Sequence, residues 1–585
     1  MTLLALLALQ AGCSAALPGR VTARVVQISI PTYDVGGDDP TPRLFEDRGI
    51  YPYAMQDDVG RAVKARPRTY RAVLLENAYT RVIVMPALGG KIYAAHDKTN
   101  GGADFIYHNR VVKPALVALR GAWVSGGVEW NFPSFGHTIN TYAPVPFVIE
   151  HHRDGSASVV VGTTERVRRL RWTVRVRLRP GRSAVEHVAR LVNPTPFHRR
   201  AYFWVNGAVH ARRDTRVVMP TNAIFFGARE DPQPWPGKKP DRSYYGRIAE
   251  PKDHFSALPA DFIAAYHEKL DRGTAHYAAR RQSAGKKFFT WGTAREGAMW
   301  EPLLTDSSGR YIELQSGRLL SQQDTWIFEP QSVTRVSGSW YALRGIGGVD
   351  VVGAEAAMHV ERVGPRRYRV GLNATAQRPR AELLVLAGAR VVRREVVQVG
   401  PARPWRRELM LPADVTSAAA LAQLGLRFVL RARDGRLLVA HGVGAARRRY
   451  GRPEVRPALA GGDAEMLYLR GRRALLEWRR TAALGILRRA AEKGSARARR
   501  LLGEQLLIFG EPQAALVQLD AALARDEHDS RARSYRGLAR LRVGERKAGR
   551  DDLARAAASV GQRRVALLAQ GCDAMSRGRF DEALS

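Results

Sequence analysis

Cysteine is nearly absent from this chain of 585 residues, which has only Cys13 and Cys572, in different segments. The chain alone can therefore form neither a disulfide framework nor a cysteine-based metal site. Glycine-rich phosphate loops between a strand and a helix are also missing, which argues against nucleotide use. His151 and His152 are adjacent, so on a strand their side chains point to opposite faces and cannot chelate together. The sequence predicts no cofactor and no metal.

Acidic residues are scarce: 55 Asp and Glu stand against 93 Lys and Arg, and the formal net charge is +38. A charge of this size raises the possibility of a nucleic-acid binder. The basic residues are spread through every segment, however, and in stretches such as 166–177 they alternate with apolar residues, as on a solvated strand face. The sequence contains no zinc finger, ribonucleoprotein box or compact basic arm. We therefore expect no specific nucleic-acid partner, and some added affinity for acidic glycans or anionic surfaces.

Long apolar runs are lacking as well. The opening run LLALLALQAGCSAALPG is shorter than the roughly 20 residues that a membrane-spanning helix needs. Residues 1–20 resemble a secretory leader, although the usual basic start is missing. We predict export to the periplasm or medium, with Cys13 as a candidate lipid-anchoring site. A cytoplasmic protein with a misassigned start codon is the alternative.

Residues 21–350 have the pattern of one large β domain. Short β-branched runs such as Tyr70–Leu75 and Arg81–Met85 are separated by turn signals such as Gly89-Gly90. Many short strands with turns at intervals of roughly 8–12 residues indicate a β-sandwich or barrel. Residues 351–445 also read as strands but contain little tryptophan, and we predict a small immunoglobulin-like β-sandwich there. Residues 446–461 are basic and contain proline, as linkers do.

Residues 462–585 are predicted to be helical and repetitive. Gly503, Gly537 and Gly571 are 34 residues apart, and so are Gly510, Gly544 and Gly578. Because 34 is the tetratricopeptide period, this region resembles tetratricopeptide repeats, with the last copy incomplete at residue 585. Each glycine pair is expected to bracket a first helix. Such an array predicts a protein partner.

The stretch from Lys113 to His137 is the densest in chemically useful side chains. Its residues 123–137 hold Trp123, Ser125, Glu129, Trp130, Asn131 and His137, with several glycines. Hydrogen-bonding groups beside flat apolar rings suit a site that handles sugars. The alternative is a glycine-rich turn with ordinary buried tryptophans.

The β domain carries motifs of a known family in the right order. They include Met85-Pro-Ala-Leu-Gly-Gly90-Lys-Ile-Tyr, Ser125-Gly-Gly-Val-Glu129-Trp-Asn131, Phe203-Trp-Val-Asn206-Gly-Ala-Val-His210, Gly285-Lys-Lys and Tyr311-Ile-Glu313-Leu-Gln-Ser-Gly317. Over roughly Pro42–Gly348 the chain resembles a bacterial family of domains of unknown function, number five-one-zero-seven. That family is similar to the galactose mutarotase-like β-supersandwich proteins and is often fused to tetratricopeptide repeats. The resemblance implies a carbohydrate ligand, an oligo- or polysaccharide, without choosing a reaction.

Two departures from the mutarotases count against simple mutarotation. Ser125 stands where a mutarotase histidine would precede two glycines, and the strand ending at Asn206 has no imidazole at the matching place. Glu313 resembles the mutarotase catalytic glutamate.

Glu129 and Glu313 are left as two glutamates in aromatic surroundings. Burial near indoles raises a carboxyl pKa, whereas a better hydrated partner stays ionised. We predict a glycoside hydrolase in which Glu129 is the acid and Glu313 the base or nucleophile, with exchange of the two roles left open. His137 is the third catalytic candidate, either orienting Glu129 or lying in a turn. An aldose epimerase and a sugar-binding scaffold without catalysis are the alternatives.

The candidate substrate-binding residues are polar or aromatic side chains of the same motifs, namely Lys91, Trp123, Asn131, Trp204, Asn206, His210, Trp291, Trp300 and Asp306. Asp306 has the alternative of only shaping a hairpin turn. Only one or two of the tryptophans are expected to meet a sugar, because buried tryptophans are common in β cores.

Overall fold

The computed structural model of the protein describes residues 19–39, 52–56, 58–59, 64–226, 232–237, 240–443, 463–476 and 480–584. Residues 1–18 of the predicted leader, including Cys13, and the predicted linker lie outside the described residues, so export and lipid anchoring stay predictions. The chain divides into two compact units, Met1–Tyr450 and Gly451–Ser585.

The described part of the large β domain in the first unit contains 24 strands. In chain order they are β1 (Thr22–Thr32), β2 (Arg66–Glu76), β3 (Thr80–Met85), β4 (Lys91–Asp97), β5 (Ala103–Ile106), β6 (Ala115–Ala118), β7 (Gly121–Trp123), β8 (Val128–Asn131), β9 (Phe147–His151), β10 (Ala157–Thr164), β11 (Arg171–Leu178), β12 (Val185–Asn193), β13 (Arg199–Ala201), β14 (Trp204–His210), β15 (Thr215–Val218), β16 (Ala223–Phe225), β17 (Gln233–Pro234), β18 (Lys252–Ser256), β19 (Phe262–His267), β20 (Arg272–Tyr277), β21 (Gly285–Thr290), β22 (Tyr311–Gly317), β23 (Trp326–Phe328) and β24 (Ser332–Arg344).

Two large sheets contain most of these strands. Among the described residues, the first has twelve strands, eleven of them in the order β1-β2-β3-β4-β8-β14-β22-β21-β18-β16-β17, with β5 paired to β4. The second has the order β15-β19-β20-β24-β12-β11-β10-β9. The pairs β13-β23 and β6-β7 form small ribbons. Two short helices, α1 (Arg295–Ala298) and α2 (Trp300–Leu304), lie between β21 and β22.

The alternation of side chains along the central strands separates two faces of the first sheet. Val128 and Trp130 on β8, like Ile312 and Leu314 on β22, belong to the core cluster shared with the second sheet. Successive residues of a strand point to opposite faces. Glu129 and the odd-numbered residues of β22 therefore share the other face, where the candidate site lies.

The rest of the first unit is a small β-sandwich. Its strands are β25 (Val351–Val352), β26 (Ala356–Arg362), β27 (Arg367–Ala374), β28 (Arg378–Ala387), β29 (Arg390–Val399), β30 (Trp405–Met410), β31 (Leu426–Arg431) and β32 (Leu437–Val443), with helix α3 (Ala418–Gln423) before β31. They form the sheets β25-β26-β27-β30 and β29-β28-β31-β32, which enclose a core of their own.

The second unit is helical in its described part. Its helices are α4 (Ala464–Leu476), α5 (Arg480–Glu492), α6 (Ala496–Ile508), α7 (Pro512–Leu523), α8 (Ser530–Arg542), α9 (Arg546–Ala557), α10 (Arg563–Met575) and α11 (Phe580–Leu584).

The glycine repeat has a structural cause in each helix pair. Gly510, Gly544 and Gly578 follow the ends of α6, α8 and α10 with φ of 81°, 88° and 69°, the left-handed geometry that ends helices. Gly503 lies inside α6 rather than at its start, so the expectation that the glycine pair brackets the helix is wrong at that end. A Cβ at Gly503 would come within 2.6 Å of Leu519 on α7, which shows why the two helices need glycine there.

The predicted fold class is confirmed, because the chain is mostly β with a small β-sandwich and a C-terminal run of helices. In the described part of the chain, no helix combines the length and the apolar character needed to cross a membrane.

Candidate active site

A row of polar side chains crosses four neighbouring strands on the face of the first sheet opposite the core. The strand register places Glu129 on β8 opposite Asn206 on β14, Asn206 opposite Gln315 on β22, and Gln315 opposite Lys287 on β21. Glu313 lies two residues before Gln315 and so on the same face. Each of these five side chains is at most 6% exposed.

Glu129 is the most heavily hydrogen-bonded carboxylate of the row. Its Oε1 accepts hydrogen bonds from Asn131 Nδ2 (2.9 Å), Asn206 Nδ2 (3.4 Å) and His137 Nδ1. Its Oε2 accepts from Trp123 Nε1 (2.9 Å) and Thr141 Oγ1 (3.3 Å). Five side-chain donors occupy both oxygens, so the group is held as an anion with little capacity left for a substrate.

The electrostatics agree with that ionised state. Burial alone would raise the pKa of Glu129, but the charge and hydrogen bond of His137, then the charge of Lys91 and the Trp123 hydrogen bond, lower it to about 2. Burial alone would likewise lower the pKa of His137, and the adjacent Glu129 carboxylate raises it above its ordinary value. Glu129 therefore favours the protonated form of His137 and fixes Nδ1 of the imidazole.

Glu313 differs from Glu129 in both contacts and acidity. It accepts one hydrogen bond from a described side chain, that of Gln315 Nε2 to Oε2 at 2.7 Å. Burial raises the pKa of Glu313 to about 7; the charges of His137 and Lys287 oppose this rise, whereas that of Glu129 adds to it. A carboxyl group with this pKa can take up or release a proton near neutral pH.

This arrangement corrects the acidities expected from the sequence. The sequence favours Glu129 as the group whose pKa burial raises, with exchange of the two roles left open, yet Glu129 is the strongly ionised one. The reason is its donors, since burial raises a carboxyl pKa only when hydrogen bonds and opposite charges do not compensate. Of the two glutamates, Glu313 is therefore the one whose pKa lies near neutral pH.

Lys91 is a buried cation close enough to Glu129 and Glu313 to interact with the charges of both. Its Nζ donates a hydrogen bond to the carbonyl of Val124 at 2.8 Å, and the side chain is 2% exposed. Burial lowers the pKa of Lys91, whereas the charges of Glu129 and Glu313 raise it. Its contacts suit a buried countercharge rather than the predicted sugar ligand.

Trp123 and Asn131, both predicted substrate ligands, position other groups. Besides binding Glu129, the Trp123 indole lies against the His137 ring, with ring centroids 4.7 Å apart. Asn131 donates to Glu129 and accepts a hydrogen bond from the backbone N–H of Thr138 at 2.9 Å. Both residues thus fix the loop that carries His137.

The predicted sugar platforms fall into two groups. Trp204 is 1% exposed and covers Gly285 and Gly317, where a Cβ would come within 2.8 and 2.0 Å of its ring, so it is a packing residue. Trp291 and Trp300 are partly exposed and stacked, with centroids 4.4 Å apart. The Trp291–Trp300 pair remains available as a flat apolar surface.

Two other predicted ligands belong to different clusters. Asp306 accepts hydrogen bonds from Lys113 Nζ at 2.8 Å and Tyr33 at 3.1 Å, so it ties loops together. His210 lies 3.5 Å from Asp104, four residues along β14 from Asn206.

Gln315 and Lys287 were missed as site residues, although both lie in quoted motifs. Lys287 Nζ contacts Asp253 Oδ1 and Gln322 Oε1, each at 2.5 Å. Asn206 Oδ1 and Gln315 Oε1 are buried and have no hydrogen-bond partner in the described part of the chain. Counting alternate residues along β22 from Glu313 would have found Gln315, whereas Lys287 also requires the β21–β22 register.

Comparison with known proteins agrees with the family resemblance. Residues 46–335, just under half of the chain, match the family described as Domain of unknown function (DUF5107). Residues 353–441 match the family described as YphG-like protein, second domain.

Among solved structures, a TPR-domain containing protein from Parabacteroides distasonis is similar in fold with a TM-score of 0.53 and 18% identity, covering 97% of this chain and 91% of the other. A putative mutarotase from Salmonella typhimurium is similar with a TM-score of 0.36 and 7% identity, over 48% of this chain and 94% of the mutarotase chain. A putative aldose 1-epimerase from Klebsiella pneumoniae is similar with a TM-score of 0.36 and 11% identity, over 55% of this chain and 92% of the epimerase chain.

Replacing Glu129 by Gln is expected to lower the pKa of His137. The amide is nearly isosteric but removes the negative charge that raises that pKa. A histidine-selective NMR titration of the folded chain, with His137→Asn to assign the signal, measures the change.

The control is Glu329→Gln, which removes a carboxylate 2.7 Å from His198 on the surface. It should leave the His137 titration where it is in the wild type. An unchanged His137 pKa in Glu129→Gln would show that the ion pair does not exist.

Proposed function

We propose that the large β domain is a carbohydrate-active enzyme of the aldose epimerase type, interconverting the anomers of a free sugar. The contrast between the glutamates carries the proposal: Glu129 is occupied by five donors, whereas Glu313 has one donor and a pKa of about 7. The site thus offers one carboxyl and one imidazole for proton transfer instead of two carboxyl groups. The aldose epimerase and mutarotase names of the relatives described above support the same reaction class.

In this proposal Glu313 is the base and His137 the acid. Ionised Glu313 takes the proton of the anomeric hydroxyl while the His137 imidazolium protonates the ring oxygen, so the ring C–O bond breaks and the open aldehyde forms. Rotation about the C1–C2 bond and the reverse transfers then close the ring with either anomer. Glu129 accepts the Nδ1 hydrogen of His137, which leaves Nε2 for the substrate.

The side chains around Glu313 suit a polyhydroxylated ligand. Asn206 Oδ1 and Gln315 Oε1 are acceptors without a described partner, and buried acceptors are normally satisfied by a donor. Sugar hydroxyl groups are such donors. The stacked Trp291–Trp300 pair adjoins Tyr311, two residues before Glu313, and offers an apolar surface for a sugar ring.

Glu313→Gln and His137→Asn should each slow anomer interconversion by on the order of 100- to 10,000-fold, the usual contribution of a general acid or base. Each removes one of the two proton carriers. Polarimetry of freshly dissolved α-anomers of glucose, galactose and other aldoses, corrected for the spontaneous reaction, measures the rate.

Glu329→Gln is the control, because it alters a surface glutamate–histidine pair and should keep the wild-type rate. If Glu313→Gln retained full activity on every aldose that the wild type converts, the assignment of Glu313 would be wrong. If the folded wild type accelerated no aldose, the epimerase proposal itself would fail.

A glycoside hydrolase is the second candidate, because a carboxyl group with a pKa of about 7 also makes a competent general acid. Hydrolysis needs a second carboxylate as base or nucleophile. Glu129 is occupied, and Asp253, whose charge reaches Glu313, is bound to Lys287. The arrangement therefore favours proton transfer by Glu313 and His137.

The pH dependence of kcat/KM separates the two candidates. If Glu313 is a base, kcat/KM for epimerisation should rise as pH increases through about 7, since the carboxyl must lose its proton. It should fall again at higher pH, when His137 loses its proton. For hydrolysis of aryl glycosides with Glu313 as acid, the activity would instead fall above pH 7, and that result would favour the hydrolase.

The helical unit is proposed to bind a protein, as tetratricopeptide-type repeats do. A groove of about 370 Å³ is lined by α5, α6 and α7, with Leu502, Leu506 and Val517 among its residues. Val517 lines this groove and is 64% exposed, so its apolar side chain is accessible to a partner.

Val517→Glu should therefore abolish capture of protein partners by the full-length chain, measured by cross-linking in its native cell extract. The matched control is Ile508→Glu, since Ile508 is 55% exposed but does not line the groove. Equal capture by the two variants would contradict a role for this groove.

A further inference from the structure

Two histidines and an aspartate meet at the edge where β5 pairs with β4. His96 on β4 is opposite Asp104 on β5, and His96 Nδ1 lies 2.7 Å from Asp104 Oδ1. His108 follows β5 by two residues, and its ring meets that of His96 edge to face, with centroids 5.5 Å apart. One ligand-type atom from each of the three residues lies within 4.8 Å of the other two.

We infer that His96, Asp104 and His108 bind a divalent transition-metal ion of the zinc class. Two imidazoles and one carboxylate are ligands that Zn²⁺ prefers, and three protein ligands leave one position open for water or another ligand. Ligands on tetrahedral zinc are about 3.4 Å apart, so small side-chain rotations would close the set.

The unpaired nitrogen of His108 supports this inference. His108 Nδ1 is buried and has no hydrogen-bond partner in the described part of the chain. A buried imidazole nitrogen without a partner is costly unless something binds it. A metal ion bound through this atom would satisfy it, whereas the His96–Asp104 ion pair leaves it without a partner.

His210 gives Asp104 a second partner. Its Nε2 lies 3.5 Å from Asp104 Oδ2, whereas His96 contacts Oδ1. His210 therefore helps to orient the carboxylate through its second oxygen. Groups that hold a metal ligand in this way commonly change metal affinity by 10- to 100-fold. His210 is therefore assigned a positioning role here instead of the sugar contact predicted from the sequence.

Arg110 is the neighbouring group that opposes the ion. Its Nη2 lies 3.6 Å from Asp104 Oδ2 and competes for the same carboxylate. The Arg110 side chain is 56% exposed, so it can turn into solvent when an ion binds.

The test uses the untagged full-length chain, treated with a chelator and then titrated with Zn²⁺ by calorimetry and with Co²⁺ by visible absorption. We expect one saturable site per chain, cobalt bands of a four- or five-coordinate ion, and a higher Tm with zinc. His96→Asn and His108→Asn should each lower the affinity by more than 100-fold, and His210→Asn by about 10- to 100-fold.

Two variants make the result decisive. Arg110→Gln should tighten zinc binding, because it removes a competing cation from an exposed position without disturbing the core. His198→Asn removes an imidazole paired with a carboxylate elsewhere and should bind zinc as the wild type does. Absence of saturable binding in both the wild type and Arg110→Gln, or binding unchanged by His96→Asn and His108→Asn, would overturn the inference.

Discussion

The buried charge of Glu129 is the constraint around which the site is built. An ionised carboxylate in the interior is tolerated only when opposite charges and hydrogen bonds replace its hydration. Here the charge of Lys91 stabilises it, His137 contacts it, and donors from β7, β8, β14 and the loop after β8 complete its shell. Removing the carboxylate would leave two cations and several donors without their partner, so this one group determines where the neighbouring side chains can lie.

The sheet and the loop contribute different parts of the proposed chemistry. Glu313 comes from a fully buried strand whose position is set by pairing on both sides, with β14 and with β21. His137 comes from the loop after β8, which is held by Asn131 through Thr138 and by Glu129 through Thr141. A proton carrier on a loop needs such supports, because catalysis depends on keeping the two carriers in a fixed relative position.

Alternation and motif order made the β architecture and the candidate glutamates predictable from the sequence. The ionisation states were not, because they depend on which donors the folded chain brings to each carboxylate. Glu129 and Glu313 occupy similar local sequences, yet five donors reach one and one donor reaches the other. The His96–Asp104 pair could likewise not be predicted from the sequence, since it arises from the β4–β5 register and not from close spacing in the sequence.

The difference in hydrogen-bond donors and pKa between the two glutamates indicates the reaction type more strongly than the fold does. A sheet of this kind can present two carboxyl groups or a carboxyl and an imidazole, and the same scaffold hosts different reactions. The two arrangements differ in whether the carboxylate at the position of Glu129 keeps lone pairs that are free to act on a substrate. At Glu129 those lone pairs are occupied, and the consequence is an imidazolium held at Nδ1 with its other nitrogen open. Ser125 in place of a histidine is therefore no argument against the proposed proton transfer, because His137, already a catalytic candidate from the sequence, supplies an imidazole from the loop after β8.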